Sequence, residues 1–292
     1  MTGVADWLMQ RRVSRIVIIA LLFPAPVLTV VSSATVVLVS SLRGWRLAAA
    51  DCVAAGGLLV VLVGLTGGSW LGIVLGAGLT WAVAGFLGYL RRIGSVTLAV
   101  QSAVLLGMAG VVGFMVWSPN PQAYWEQVLA DFAERARTAG LPVGLADLPS
   151  AAVQVMTGMM SASAVASAVA ALFLGSWAAG PINDRPFGQE FRDLRMGRVI
   201  GLVGLGTAIM LVTGLRSIAD DLMVVLAFGF VVQGLAVVHW YAAQREWPRA
   251  WPLLVYLPLA VPAILLAEVL GLGLLGVVDN SYSLRRSGNK VV

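Results

Sequence analysis

Long apolar runs alternate with short polar connections along the whole chain, a pattern typical of a polytopic membrane protein. A transmembrane helix needs roughly 20 apolar residues to cross the hydrocarbon layer, and each run is close to that length or longer. The pattern predicts an all-α transmembrane bundle of about eight spans, in a single integral membrane domain covering residues 1–292. The predicted spans are residues 16–42, 47–65, 70–90, 96–117, 151–178, 199–215, 222–242 and 251–278.

The first run is interrupted by Pro24 and Pro26. Proline removes a backbone donor and clashes with the preceding turn, so we expect one kinked or broken helix here, not two spans. Backbone that is not helical is tolerated at membrane depth only where it is buried in protein or lines a cavity. The hydroxyl side chains that follow therefore form either a cavity wall or a small-residue packing face: Thr29, Ser32, Ser33 and Thr35.

Small residues recur at every fourth position in two of the later spans. Such faces let another helix approach closely, and we interpret them as packing surfaces without chemistry. They are Gly72, Gly76, Thr80, Ala84 and Gly88 in the third span, and Ser163, Ser167, Ala171 and Gly175 in the fifth.

Residues 118–149 form the longest connection and predict one amphipathic interfacial helix over residues 121–138. Asn120 is a favourable N-cap, and Pro121 suits the first helical position because its missing N–H has no partner there. Apolar side chains fall on one face and charged ones elsewhere. We therefore expect this helix to lie on the membrane or to cap the bundle.

Residues 181–198 are the most polar segment, and we call them the arginine segment. Phe187, Phe191 and Leu194 fall on one side of a helix. One interpretation is an interfacial helix whose arginines contact lipid phosphates or a partner protein, and the other is a charged loop that only sets topology. The candidate contact residues are Arg192, Arg195 and Arg198.

The distribution of basic residues does not predict a single membrane topology. Basic residues near span ends favour the cytoplasmic side. The basic turns that follow the odd-numbered spans and the basic residues of the two termini would lie on opposite sides of the membrane, so the two sets predict opposite topologies. A first or last segment that fails to cross the membrane would reconcile them. We place the arginine segment on the cytoplasmic side.

Composition excludes several classes of protein. The chain has 59% hydrophobic and only 11% charged residues, whereas soluble domains carry roughly 25% charged residues. The net charge of +5 comes without a basic run interleaved with aromatics, so no nucleic-acid partner is expected. One cysteine and one histidine allow neither an internal disulfide nor a Cys/His zinc site, and we expect no metal and no cofactor.

Catalytic motifs are missing from the sequence. There is no P-loop, no HExxH and no GxSxG. Gly271, Gly273 and Gly276 spell GxGxxG, but that motif needs a preceding strand, and here the glycines are interpreted as packing residues. We therefore expect that the protein is not an enzyme.

Polar residues inside the spans are the best candidates for a ligand-binding site. A charged side chain in a span costs roughly 2.5–3.5 kcal/mol, so these residues should face the bundle interior or a wet cavity. Asp51 and His239 have the alternative of lying near span ends in solvent. Glu268 is the deepest, and we expect its carboxylate to meet Gln233 or Gln101. The candidates are Glu268, Gln233, His239, Gln101 and Asp51.

Three stretches in the second half, FGQEFRDLRMGR, VVQGLAVVHWYAAQR and GLGLLGVVDNSYSLRR, resemble the YybS-like family of uncharacterised bacterial multi-pass membrane proteins. The resemblance implies a protein of the bacterial cytoplasmic (inner) membrane. It also implies a distant similarity to the substrate-binding S components of energy-coupling-factor vitamin transporters. The residues that match the family pattern are Gln233, Gly234, His239, Asp279, Tyr282 and Arg285.

Together these observations favour a small-molecule-binding or transport-associated membrane subunit. Because the chain has no ATPase motif, other membrane subunits or a transport ATPase are its expected partners besides the lipid bilayer. The alternative is a membrane scaffold or regulatory protein without transport activity, favoured by the abundance of packing faces over chemistry.

Overall fold

The computed structural model describes residues 2–65, 69–140, 150–182, 185–248 and 250–285. These residues form helices and connections, with no strand among them, which confirms the predicted all-α class. The helices are α1 Thr2–Gln10, α2 Arg12–Leu22, α3 Thr29–Arg43, α4 Trp45–Leu65, α5 Trp70–Ile93, α6 Val96–Trp117, α7 Pro121–Thr138, α8 Ser150–Gln154, α9 Met156–Ala179, α10 Phe187–Arg192, α11 Gly197–Val212, α12 Arg216–Gln244, α13 Trp251–Leu259 and α14 Pro262–Tyr282.

Within the described ranges, 6 helices are long and apolar enough to cross a membrane: α4, α5, α6, α9, α12 and α14. The chain is therefore a membrane-embedded helical bundle. The sequence predicted about eight spans at roughly 20 residues each. Two further apolar helices, α3 and α11, are shorter, with 15 and 16 residues.

The first apolar run forms a helical hairpin, which consists of α2, the turn at residues 23–28, and α3. Ser32 of α3 donates a hydrogen bond to the carbonyl of Ile19 in α2, at 2.7 Å. Leu8 of α1 packs in one cluster with Leu38, near the other end of α3. Because residues before the turn pair in reverse order with residues after it, α3 runs back along α1 and α2.

The tip of this hairpin lies about half-way along α5. Phe23 packs edge-on against Trp81, with ring centroids 5.4 Å apart, and Trp81 is central in α5. At 1.5 Å per residue, the 11 residues of α2 and the 15 of α3 both fall short of the roughly 30 Å hydrocarbon layer. The run is thus broken, as expected, but it returns toward the side from which it came.

The short helix α3 is a central element of the bundle. Residues 32–41 are all buried, and α3 packs against both α5 and α9. Its hydroxyl side chains are mostly paired with backbone carbonyls, for example Ser40 with Gly85 at 2.7 Å. Trp81 also donates to the hydroxyl of Ser32, at 3.0 Å. These bonds tie the polar face of α3 to α2 and α5 without any charged group.

The amphipathic helix α7 has the bounds predicted for it, Pro121–Thr138. The side chain of Asn120 accepts a hydrogen bond from the Ala123 N–H at 3.1 Å, as expected of an N-cap. Trp125 joins the helix to the bundle through the hydroxyl of Thr157 at 2.9 Å. The remainder of this connection, residues 141–149, lies outside the described residues.

The small-residue faces are packing surfaces over only part of their length. Gly88 and Ala84 pack closely within the bundle, and so do Ala171 and Gly175. A Cβ atom added at Gly88 would lie 2.8 Å from the Val37 carbonyl oxygen. At Gly72 and Gly76 such an atom would meet nothing within 4 Å. Thr80 and Ser167, in the same two series, line a cavity instead.

Replacing Gly88 with alanine should therefore destabilise the bundle, whereas Gly72→Ala should not. Overpacking against the backbone of Val37 costs about 1–3 kcal/mol. At Gly72 the better helix propensity of alanine should leave stability unchanged or raise it by up to about 1 kcal/mol. Unfolding free energies from SDS titration of the protein in mild detergent would measure both, and equal effects would contradict the close α3–α5 contact.

The hairpin predicts that Arg11 and Arg46 lie on the same side of the membrane. The native Cys52 is first replaced by alanine, and single cysteines are then placed at residue 11, 46 or 117. A membrane-impermeant maleimide should label Arg11→Cys and Arg46→Cys from one side and Trp117→Cys, at the other end of α6, from the opposite side. If residues 12–43 crossed the membrane once, Arg11→Cys and Arg46→Cys would be labelled from opposite sides.

Candidate functional site

The arginine segment is not a continuous helix. Its helix α10 ends at Arg192, and residues 193–196 are irregular before α11 begins at Gly197, which has a φ of +71°. Leu194 and Met196 in this break are fully buried. The predicted helical side shared by Phe187, Phe191 and Leu194 is therefore wrong beyond Arg192, although all three side chains do pack inward.

Side chains from other helices replace the backbone hydrogen bonds that the break has lost. Gln101 of α6 donates to the carbonyls of Arg195 and Met196, both at 3.0 Å. Gln233 of α12 accepts a hydrogen bond from the Met196 N–H at 2.8 Å. Backbone polar groups away from water need such partners, because an unpaired buried one is costly.

The end of the described chain completes this arrangement. Arg285 donates to the carbonyls of Arg192 and Leu194, the latter at 2.7 Å. Asn280 of α14 donates to the carbonyl of Gly197 at 3.2 Å. We call the set of Gln101, Gln233, Asp279, Asn280 and Arg285 the polar clamp.

Asp279 is the centre of the polar clamp. Its carboxylate is fully buried and accepts hydrogen bonds from Gln233 at 2.7 Å and from Arg285 at 2.6 Å. The arginine balances its charge, and the bond to the amide nitrogen turns the oxygen of Gln233 toward Met196. Ser283 makes this possible, because its left-handed backbone, with φ of +53°, ends α14 and turns the chain back.

The polar clamp contains two of the five predicted ligand-binding residues, Gln101 and Gln233. Asp279 and Arg285 were noted only for the family resemblance, and Asn280 was missed. The sequence feature that could have indicated these three residues is the polar stretch DNSYSLRR, which directly follows an apolar run. The amides and the guanidinium of the clamp bond to the backbone of the break, and Asp279 holds Gln233 and Arg285 in place for this.

The predicted contact of Glu268 with Gln233 or Gln101 is wrong. Glu268 is half-buried, and no side chain in the described ranges hydrogen bonds to it. Gln233 is already used by Met196 and Asp279, and Gln101 by the carbonyls of the break. The first half of α14 is mostly exposed, so Glu268 lies away from the polar clamp.

His239 and Asp51 lie in two other places. His239 contacts the rings of Phe191 and Trp251, and its Nε2 lies 3.2 Å from the hydroxyl of Tyr256, so it packs in an aromatic cluster. Asp51 is fully buried and forms ion pairs with Arg12 and Arg15, each at 2.9 Å. The alternative of a solvated Asp51 is therefore wrong, and its pairs join α2 to α4.

The three arginines of the arginine segment have different surroundings. Arg192 contributes its carbonyl to Arg285, Arg195 lies 3.4 Å from the hydroxyl of Ser283, and Arg198 is exposed. Contact with lipid or a partner remains a prediction.

Nearby, the buried Arg91 pairs with Glu190 of α10 at 2.8 Å and fixes that helix to α5. Among the described residues, no group of three His, Cys, Asp or Glu could hold a metal ion.

A cavity of about 690 Å³ lies between α3, α5, α6 and α9. It begins near Ala103 on α6 and extends to Phe114, where Trp125 of α7 lies across it. Gln101, two residues before Ala103, belongs to the polar clamp, so the cavity begins close to the clamp and extends along α6 away from it.

Of the four hydroxyl residues after the prolines, Thr29 and Ser33 line the cavity. Ser32 and Thr35 are buried in the packing of α3, so each of the two interpretations holds for part of this set.

The lining of the cavity is apolar except for hydroxyl groups. Most of these are already bonded: Ser161 donates to the Gly107 carbonyl, Thr80 to the Gly76 carbonyl and Thr29 to the Phe23 carbonyl. The buried hydroxyl of Ser33 has no hydrogen-bond partner among the described residues. No charged side chain from the described ranges lines the cavity.

Comparison with protein-family models, with curated proteins and with solved structures gave no match. Function is therefore inferred from the geometry of the cavity and of the polar clamp.

Removing the carboxylate of Asp279 should destabilise the protein strongly. In Asp279→Ala, Arg285 is left as an unbalanced buried charge and Gln233 loses a partner, which should cost about 3–5 kcal/mol. The exposed pair of Arg216 and Asp220, at 3.9 Å, provides the control, and Asp220→Ala should cost less than about 1 kcal/mol. SDS-titration unfolding would compare the two, and a small effect at Asp279 would show that the clamp does not stabilise the break.

Proposed function

We propose that the chain is a non-enzymatic subunit of the bacterial inner membrane that binds a small molecule in the cavity between α3, α5, α6 and α9. The observation that carries this proposal is the cavity itself, a partly open space lined mainly by residues of these four helices. Its volume of about 690 Å³ falls within the roughly 300–1,000 Å³ of small-molecule sites. Such sites are mostly apolar with a few polar groups, as this one is.

Small side chains of α6 and α9 line part of the cavity, among them Gly110, Ala164 and Ala168. Gly107 packs closely against α9, since a Cβ atom there would lie 2.4 Å from a methyl group of Val165. A Cβ atom at Gly110 would have only the Ser161 hydroxyl near it, at 3.9 Å. Small residues let membrane helices approach closely, as α6 and α9 do at Gly107, and open space remains beside Gly110.

A transport-associated role is proposed from the resemblance to the YybS-like family and, through it, to transporter S components. Gln233, Asp279 and Arg285, which carry that resemblance, fix the irregular break beside the exposed Arg198. In this proposal the rigid end formed by the arginine segment is where another membrane subunit or a transport ATPase docks. Energy for transport would come from that partner.

The scaffold or regulatory alternative has one observation in its favour. Of the six residues that match the family pattern, Gln233, Asp279 and Arg285 belong to the polar clamp, and none of the six lines the cavity. In that case the cavity would be filled by lipid, and changes to its lining would leave the bound small molecules unchanged. The two proposals therefore predict different amounts of co-purifying small molecule when a larger side chain fills the cavity.

Filling the cavity with a larger side chain tests the proposal. Gly110→Leu places a branched side chain in the open space, and Gly113→Leu, on the same helix, adds the same group where nothing lies within 4 Å. Both proteins are purified in nanodiscs, and organic extracts are compared by mass spectrometry with those of empty nanodiscs. Gly110→Leu should reduce any co-purifying molecule at least about tenfold, and Gly113→Leu should retain it.

Identical extracts from the original protein, both variants and empty nanodiscs would contradict ligand binding and favour the scaffold. The unfolding free energy of Gly110→Leu is measured in parallel. A folded variant that loses the molecule supports the proposal, because loss by unfolding is then excluded.

A further inference from the structure

The chemistry of the cavity wall limits what it can bind. None of the lining side chains of the described residues is charged. Three groups of buried charges elsewhere in the bundle are paired: Asp51 with Arg12 and Arg15, Arg91 with Glu190, and Asp279 with Arg285. The buried Asp221 accepts a hydrogen bond from the Gly158 N–H and does not line the cavity. A ligand with a charged group inside this cavity would lose its hydration without gaining a counter-charge, which is costly.

Ser33 is the exception in a lining whose buried polar groups are otherwise bonded. Its side chain is 3% exposed and its hydroxyl has no partner among the described residues, although serine in a helix can bond the preceding turn. On the same helix, Ser32, Thr35, Ser40 and Ser41 all donate to backbone carbonyls. Burying a hydroxyl without a partner costs roughly 1–3 kcal/mol, and a ligand group that bonds to it would recover that cost. Because the oxygen itself is buried, the Ser33 side chain must rotate toward the cavity to form this bond.

A second hydroxyl reaches the same cavity. Ser167 of α9 lines it and has no hydrogen-bond partner among the described residues. Since α3 and α9 pack against each other, both hydroxyls belong to the wall formed by these two helices. The opposite wall, from Leu106 to Phe114 of α6, is apolar. The polar groups of the lining are thus neutral hydroxyls, and α3 and α9 contribute most of them.

We propose that the ligand is an uncharged amphipath, a mostly apolar chain or ring system that carries one hydroxyl or carbonyl group bonded to Ser33. This inference rests on the proposed function and adds the chemical class of its ligand. The apolar part fills the space beside α6, and the neutral head lies against α3 and α9. Carboxylates, amines and phosphates are excluded because the lining offers them no opposite charge.

The test uses four probes of equal chain length with a photoreactive diazirine: dodecanol, dodecanoate, dodecylamine and dodecane. Each is added at the same mole fraction of lipid to the protein in nanodiscs. Cross-linked peptides are mapped, and apparent affinities are obtained by competition with the unlabelled probe. Dodecanol should label peptides of α3, α6 and α9 saturably and bind about 3- to 10-fold more tightly than dodecane, the gain expected of one hydrogen bond.

Two serine variants separate the role of Ser33 from general effects on folding. Ser33 and Ser176 are the two buried hydroxyls without a partner in the described part of the chain, and Ser176 does not line the cavity. Ser33→Ala should abolish the preference for dodecanol over dodecane, and Ser176→Ala should leave it intact. Both proteins should remain folded, because each loses only an unpaired group.

The outcomes distinguish this inference from the proposed function. Saturable labelling of the cavity by dodecane and dodecanol with equal affinity, or tighter binding of dodecanoate or dodecylamine, overturns the neutral-head assignment but leaves small-molecule binding in place. No saturable labelling by any probe contradicts both. A parallel experiment with dioctanoylglycerol identifies the source: competition with dodecanol indicates a neutral membrane lipid, and its failure indicates a free single-chain molecule.

Discussion

Backbone polar groups cannot remain unpaired inside a membrane bundle, and the irregular break at residues 193–196 makes this constraint decisive here. Five carbonyls in and beside the break, those of residues 192 and 194–197, and the N–H of Met196 form hydrogen bonds with side chains. Four side chains supply their partners, namely Gln101, Gln233, Asn280 and Arg285. The buried Asp279 is needed because a guanidinium at that depth requires a counter-charge. The packing of α6, α12, α14 and residues 283–285 around α10 and α11 therefore follows from one break in a helix.

The same constraint governs the turn of the hairpin formed by α2 and α3. The hydroxyl of Thr29 donates to the carbonyls of Phe23 and Ala25, and Ser32 donates to the carbonyl of Ile19. Because the turn lies half-way along α5, its backbone has no interfacial water to rely on and uses these hydroxyls instead. The hydroxyl-rich face of α3 serves this need first, and Ser33 is the member of that face left for the cavity.

The sequence predicted the elements well and their long-range partners poorly. Hydropathy placed α4, α5, α6, α9 and α12 because lipid imposes length and composition on each span. The burial of Asp51 and Gln233 also followed from the cost of exposing them to lipid. Their partners lie 36 or more residues away, and no local pattern encodes that pairing. The spacing of apolar residues predicted a continuous helix over the arginine segment. Periodicity within one segment cannot show that side chains of other helices stabilise a break in it.

The two ends of the bundle are held by different forces, and this difference bears on how a ligand would enter. Around the arginine segment, buried ion pairs and the polar clamp connect α2, α4, α5, α10, α12 and α14. At the cavity, apolar contacts and single hydrogen bonds such as that of Trp125 with Thr157 join the elements. Local opening requires the least free energy where few polar bonds must break. Motion that admits a ligand is therefore expected near α7 and the tip of the hairpin, while the arginine segment stays fixed as a surface for a partner.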